Sequence, residues 1–210
     1  MGNQRARSQT EIKDRRQEII DACDTLFANR GYDAVNLKEI SEMTSITRTA
    51  IYTYFKTKEE IFLDILKQEY LTWQKELELG LAQIETRNKE EYCHFLTDSI
   101  VRQEKLLKLL SEHFDSIENN SRSEKLCEYK KNIRPLFLTL SQGTKQVFPD
   151  CNDTAAEHFR LFYFSSIGSL YSMTHPTEKQ IAAMQATNFY KKLSFPELFY
   201  EHTLLIARDL

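Results

Sequence analysis

Three observations predict an all-α fold. Glycine and proline number only 5 and 4 in 210 residues, too few for the hairpins and glycine-rich phosphate loops of a sheet-based protein. Apolar residues recur at helical rather than alternating spacing along most of the chain. Between Asn36 and Lys58 the pattern shortens into two small amphipathic helices joined by a tight turn.

Residues 1–10 are polar and basic and are expected to lack fixed structure, with Arg5 and Arg7 either solvated or free to reach a phosphate or minor groove. From Thr10, the spacing of Ile12, Ile19, Ala22, Cys23, Leu26 and Phe27 predicts a helix that stops at Gly31, with Tyr32 and Val35 closing a small core. Asn36 then offers an N-cap, and Glu39 stands where the reciprocal partner of a capping box belongs. Leu37, Ile40 and Met43 form one apolar stripe, and Ser41 is short enough for a second helix to cross close by. That helix begins at Thr47, behind Ile46, and turns Ala50, Ile51 and Phe55 inward.

The residues left outward on it are Thr47, Arg48, Thr49, Tyr52 and Thr53. One guanidinium, several hydroxyls and a phenol can touch base edges and phosphates when a helix lies in a major groove. Thr57 caps the next helix, and Lys58 adds positive charge to its N-terminal half-dipole, which suits a phosphate. The formal charge of −3 divides unevenly: residues 1–58 hold 10 Lys/Arg against 8 Asp/Glu, and residues 59–210 hold 18 against 23. The positive end is where the short helices are, and the excess is small enough that tight DNA binding calls for two copies.

The helix from Thr57 is expected to reach about Leu79, carrying Ile61, Phe62, Ile65, Leu66 and Trp73. After a charged surface connection over 85–91, one long helix is predicted from about Lys89 to Ile117. A further helix follows over 124–147, with Pro135 kinking or dividing it. Residues 153–174 are apolar most of the way round and contain Gly168, so this helix must be covered on both sides, and a partner subunit is an economical cover. Helices over 177–191 and from Ser194 onward complete the chain.

The run from Leu37 to Ile61 resembles the signature of the tetracycline-repressor-like (TetR) transcriptional regulators. In that family a helix-turn-helix ends in a tyrosine and phenylalanine patch, here Tyr52, Tyr54 and Phe55, and leads into a Lys-Glu-Glu helix start, here Lys58, Glu59 and Glu60. The likeness covers about the first quarter of the chain. One position departs: the turn usually carries glycine where this sequence has Ser45, and a left-handed serine there would cost on the order of 1 kcal/mol. The resemblance implies a three-helix DNA-binding domain over 1–56 and a helical ligand-binding and dimerisation domain over 57–210. It also implies a ligand-responsive regulator, a repressor released from a near-palindromic operator by a small-molecule inducer. Asn36, Thr47, Arg48, Thr49, Tyr52, Tyr54 and Lys58 are the expected DNA contacts. The alternative is a helical interaction or lipid-binding module that does not bind DNA.

Other chemistry is not expected. Only one Glu-x-x-His spacing exists, Glu91 to His94, against the two that a di-iron bundle needs, so neither metal nor cofactor is predicted. Neither a nucleophile elbow nor a phosphate loop occurs, which argues against an enzyme. Cys23, Cys93, Cys127 and Cys151 are far apart and read as reduced thiols. No apolar run approaches a membrane span and no secretory signal opens the chain, so a cytoplasmic location away from the membrane is expected.

The aromatic residues concentrate after Tyr52, and Leu66, Tyr70, Trp73, Phe95, Phe114, Phe137, Phe162 and Tyr163 are candidates to line a pocket for an apolar or aromatic inducer. A homodimer is expected to join through Phe159, Ile167, Gly168, Leu170 and Tyr171 of one helix and Phe199, Thr203 and Ile206 of the last.

Overall fold

The computed structural model describes residues 2–210, with side chains described from residue 9 onward. Every regular element among them is helical: α1 (Gly2–Arg30), α2 (Leu37–Glu42), α3 (Arg48–Tyr54), α4 (Lys58–Leu81), α5 (Lys89–Val101), α6 (Glu104–Glu112), α7 (Phe114–Asn119), α8 (Ser123–Val147), α9 (Asp153–Thr174), α10 (Glu178–Ala186) and α11 (Phe195–Ile206). These form two compact units. The first runs to Gln68 and takes in Asp115–Asn132; the second comprises Glu69–Phe114 and Ile133–Leu210. α4 and α8 each supply residues to both units, so neither unit is one continuous stretch of chain.

In the first unit, Ile19, Cys23 and Leu26 of α1 are buried with Leu37 and Ile40 of α2, Ile51 of α3, and Ile61, Phe62 and Ile65 of α4. Gly31 ends the regular path of α1 in the left-handed region at φ 76, its N–H reaching Phe27 O at 2.9 Å. Several local expectations are corrected. The backbone is helical from Gly2, where fixed structure was not expected; glutamine, arginine, alanine and glutamate are strong helix formers, and Glu11 pairs with Arg15 one turn on at 2.8 Å. The side chains of Arg5 and Arg7 lie outside the described ones. Met43 is 48% exposed and so leaves the inward stripe. Glu39 does not close a capping box: its carboxylate pairs with Arg30 at 3.0 Å.

In the second unit, α5 packs on α6 and α11, and α9 packs on α6 and α11. Its core is aromatic. Trp73 is fully buried, stacks near Tyr70 and Tyr163 with centroids at 6.5 and 6.3 Å, and donates its indole N–H to Ser99 Oγ at 3.1 Å. The single helix expected over 89–117 is three. Gln103 leaves helical geometry (φ −93, ψ 55) with its side-chain amide on Glu76 at 2.9 Å, and His113 breaks the chain again at φ −131. The apolar repeat runs on across both breaks, so periodicity could not reveal them. Pro135 lies inside α8 without dividing it, and α10 stops at Ala186, short of residue 191. Among the described residues no helix is long and apolar enough to cross a membrane.

Candidate nucleic-acid interface

Asn36 and Thr47 set the two short helices. The Asn36 side-chain oxygen accepts from the backbone N–H groups of Lys38 and Glu39, both at 3.0 Å, and Thr47 Oγ1 accepts from Ala50 N at 3.3 Å. Each cap satisfies donors that a helix start leaves without intrahelical partners. Their cost to function is that both polar atoms are already engaged, so these residues position the helices as much as they offer contacts.

The turn between α2 and α3 is held from α1. Glu18 accepts from Ser45 N at 2.5 Å and from the Ser45 hydroxyl at 3.1 Å. Among the described residues only Arg87 and Asn188 adopt positive φ besides Gly31. Ser45 is therefore not left-handed, and the strain foreseen there does not arise. Glu18 lies 27 residues away, and no local pattern could have found it.

On the outer side of α3, Thr47, Arg48, Thr49, Tyr52 and Thr53 are exposed and Tyr54 is half-buried. The Arg48 guanidinium lies 3.5 Å from the Tyr52 hydroxyl, a long contact that leaves its other donors open. Beside them is an open cleft of about 400 Å³ lined by Asn36, Lys38, Arg48, Tyr52, Thr57 and Lys58, among others. Lys58 reaches Tyr32 O at 2.9 Å and lies 4.0 Å above the Tyr32 ring, so its charge is fixed at the cleft wall. The geometry thus brings together Asn36, Arg48, Tyr52 and Lys58 of the predicted set, with Thr47 and Thr49 on the same exposed helix. It adds two lysines not foreseen: Lys38 in the cleft, and Lys56, whose ammonium caps the end of α3 at Tyr52 O at 2.5 Å.

Behind the cleft, the start of α4 is fastened by a segment distant in sequence. The Glu60 side chain, fully buried, accepts from Arg122 Nε at 2.5 Å and Nη2 at 2.9 Å and from Lys56 N at 2.8 Å. Burial works to raise the Glu60 carboxyl, but the Arg122 side chain and the backbone N–H groups of Lys56 and Arg122 outweigh it and hold it below the ordinary range. Thr57 Oγ1 also donates to Asn120 O at 3.1 Å, and Arg16 of α1 pairs with Asp64. Burial, followed by the neighbouring Glu59, raises the Tyr32 phenol to about 12, and its hydroxyl donates to Glu59 at 3.1 Å. Arg122 and Asn120 are the partners that sequence reasoning missed, because they lie more than sixty residues from what they hold.

The other predicted sites are placed differently. Tyr70, Trp73 and Tyr163 are buried in ring-on-ring packing; Phe95, Phe114 and Phe137 are half-buried; Phe162 is 53% exposed; Leu66 is buried and belongs to the first unit. Of the predicted dimer contacts, Phe159, Ile167, Tyr171, Phe199 and Thr203 are buried within the protomer, leaving only Leu170, Ile206 and Gly168 partly accessible. The reason for Gly168 is internal: a Cβ there would stand 2.7 Å from Leu110 O, so the glycine lets α9 approach the backbone of α6. What α9 and α11 do expose is Leu161, Phe162, Met173 and Leu205, with Ser165, Ser169 and Ser172 along the same stretch.

Two family descriptions match the chain: "Bacterial regulatory proteins, tetR family" over residues 19–65 and "Tetracyclin repressor-like, C-terminal domain" over residues 67–203. Curated relatives include the transcriptional regulator QacR of Staphylococcus aureus, 29% identical over 79 residues that make up 38% of this chain and 42% of that protein. The repressor AcnR of Corynebacterium diphtheriae is 34% identical over 62 residues, 30% of this chain and 33% of that protein. These matches therefore take in less than half of either relative. Among solved structures, Thermus thermophilus FadR in complex with lauroyl-CoA aligns over 93% of this chain and 95% of its own with TM-score 0.59 at 19% identity, which speaks to fold.

Proposed function

The chain belongs to the tetracycline-repressor-like family, and on that premise we propose that it is a dimeric, ligand-responsive transcriptional regulator, a repressor released from a near-palindromic operator by a small molecule. The observation that carries this is the exposed face of α3, with Arg48, Thr49 and Tyr52 free of the core and Lys38 and Lys58 on the cleft beside it. Arg48 reads a base edge in the major groove; Tyr52, Tyr54 and Lys58 hold phosphates; Asn36 and Thr47 fix the helices that present them. The modest positive charge of this region makes two copies necessary, spaced by about 34–36 Å or a multiple of it.

Dimerisation is assigned to the outer face of α9 and α11, where Phe162, Met173 and Leu205 are 53%, 54% and 68% exposed among small serines. The inducer is apolar or aromatic, and its signal travels along α4, which is one helix of 24 residues, about 36 Å long. The protein works in the cytoplasm, where its DNA is.

The test is fluorescence anisotropy with duplex from the region flanking the protein's own gene. Salt-dependent binding, far tighter than to a random duplex of equal length, is expected, followed by release on adding apolar aromatic compounds or acyl-CoA thioesters. Binding to flanking and random duplex alike, at the same salt, overturns the assignment.

A further inference from the structure

We propose that residues 175–194, with α10 at their centre, form an arm that clasps a second copy of this chain. The proposal rests on the dimer assigned above to α9 and α11 and adds a second part to its interface.

Both ends of α10 are closed by bonds of their own. Thr177 Oγ1 accepts from Gln180 N at 3.3 Å while the Gln180 side chain accepts from Thr177 N at 2.7 Å, a complete capping box. At the other end Asn188 turns left-handed at φ 53, its N–H reaching Gln185 O at 3.1 Å and that of Phe189 reaching Met184 O at 2.8 Å. Those are the paired bonds of a Schellman cap. The base is fixed as well: the Tyr171 and His175 rings stack at 3.9 Å where the arm leaves α9, and Phe195 is buried where it returns to α11.

Yet α10 has no buried residue, Ile181 and Met184 are only partly covered, and Phe189 is 78% exposed. Even capped at both ends, a nine-residue helix is marginal in water without packing, so the partly covered Ile181 and Met184 and the exposed Phe189 point to a covering surface outside the protomer.

Two features identify that surface as a second copy. The arm springs from α9 and returns to α11, the helices that expose Leu161, Phe162 and Leu205, and exposed Met173 carries the apolar residues of α9 to the root of the arm. Charge matches too: Lys191 and Lys192 on the arm and Glu197 and Glu201 on α11 are all exposed, and among the described residues none of them has an ion-pair partner within the protomer. A twofold axis lets each arm place its lysines against the other copy's glutamates, and every such contact occurs twice.

Sedimentation of the full chain tests this. Phe189→Ser should leave the helical spectrum and melting of the protomer unchanged and raise the dimer dissociation constant by ~10-fold or more, as loss of a buried aromatic anchor does. Lys191→Glu with Lys192→Glu should weaken the dimer, and adding Glu197→Lys with Glu201→Lys should restore it in part. If Phe189→Ser dimerises like the wild type while Leu205→Asp dissociates, the arm is overturned and the dimer of α9 and α11 stands. If neither substitution matters, or the wild type is a monomer, both are overturned. Hydrogen exchange gives a second measure: α10 amides protected in the dimer and released on dilution support the clasp, and free exchange within the dimer removes it.

Discussion

The two compact units put different chemistry to use. In the first, the side chains that count are short, capped and outward, and its buried charges are matched: Glu60 with Arg122, Asp64 with Arg16. In the second, most of the large rings turn inward onto one another, Trp73 with Tyr163 and Tyr92 with Phe159, while Phe162 and Phe189 stay exposed. An element defined by its caps and outer face shows its role in a few residues. An element defined by mutual packing does not, because a buried ring looks the same in a sequence whether it lines a pocket or fills a core.

The strongest way to break this contrast is Trp73→Ala. With Trp73 fully buried and hydrogen-bonded to Ser99, the change should destabilise the chain by about 3–5 kcal/mol, seen as a lowered melting temperature. DNA affinity per folded molecule should stay near that of the wild type. A variant that melts normally would show that the ring borders open space after all, and Trp73 would return as a pocket residue.

Gly168→Leu comes next, at roughly 1–3 kcal/mol or more, because the new side chain meets the backbone at Leu110 rather than a movable side chain. Calorimetry at concentrations where the chain is monomeric separates this from any effect on association. A variant with normal monomer melting and lost dimerisation would return Gly168 to the interface.

Arg122→Ala tests the matched charges of the first unit. Hydrogen bonds to a charged group contribute ~1.5–3 kcal/mol, and the 43% exposure of Arg122 puts the expected loss toward the lower end. The pH dependence follows from the sign of the shift. Glu60 is held below its ordinary value when folded, so its contribution is present above that value and fades as pH falls through the folded one. Acid titration of stability should therefore be shallower in Arg122→Ala than in wild type below about pH 4.5, the ordinary carboxyl value. Parallel acid limbs would mean that Arg122 is not what holds the carboxyl down.

The remaining tests read DNA binding rather than stability. Arg48→Ala should cost ~1–3 kcal/mol and relax preference at one base pair per half-site, whereas Lys58→Ala should weaken all sequences alike and lower the salt slope by about 1. Equal losses on every sequence for Arg48→Ala would assign it to phosphate. An unchanged salt slope for Lys58→Ala would mean that its ammonium serves Tyr32 alone.

Much of the fold was legible because it is written locally. Asn36, Thr47 and Gly31 mark helix ends through bonds made within four residues, and α9 lies where its apolar run begins and stops. The outward face of α3 followed from the same rule, since once Ile51 and Phe55 are inward, Arg48 and Tyr52 have nowhere else to go. Five of the residues expected at a dimer contact, Phe159, Ile167, Tyr171, Phe199 and Thr203, are instead buried within the protomer, because an apolar residue facing its own core and one facing a partner carry the same pattern in a sequence.

By itself, then, the amino-acid order determined most of the helical segments from residue 10 onward, where the two short helices begin, and which residues they show to solvent, because caps and helical periodicity act within one or two turns. Only the tertiary structure decided the rest: that Glu18 holds the turn at Ser45, that Arg122 closes on Glu60, that 89–117 breaks twice, and that Gly168 serves α6. Each of these joins residues far apart in the chain. Hydrogen-bond satisfaction and close packing select such partners only once the backbone has brought them together, and no spacing rule encodes them.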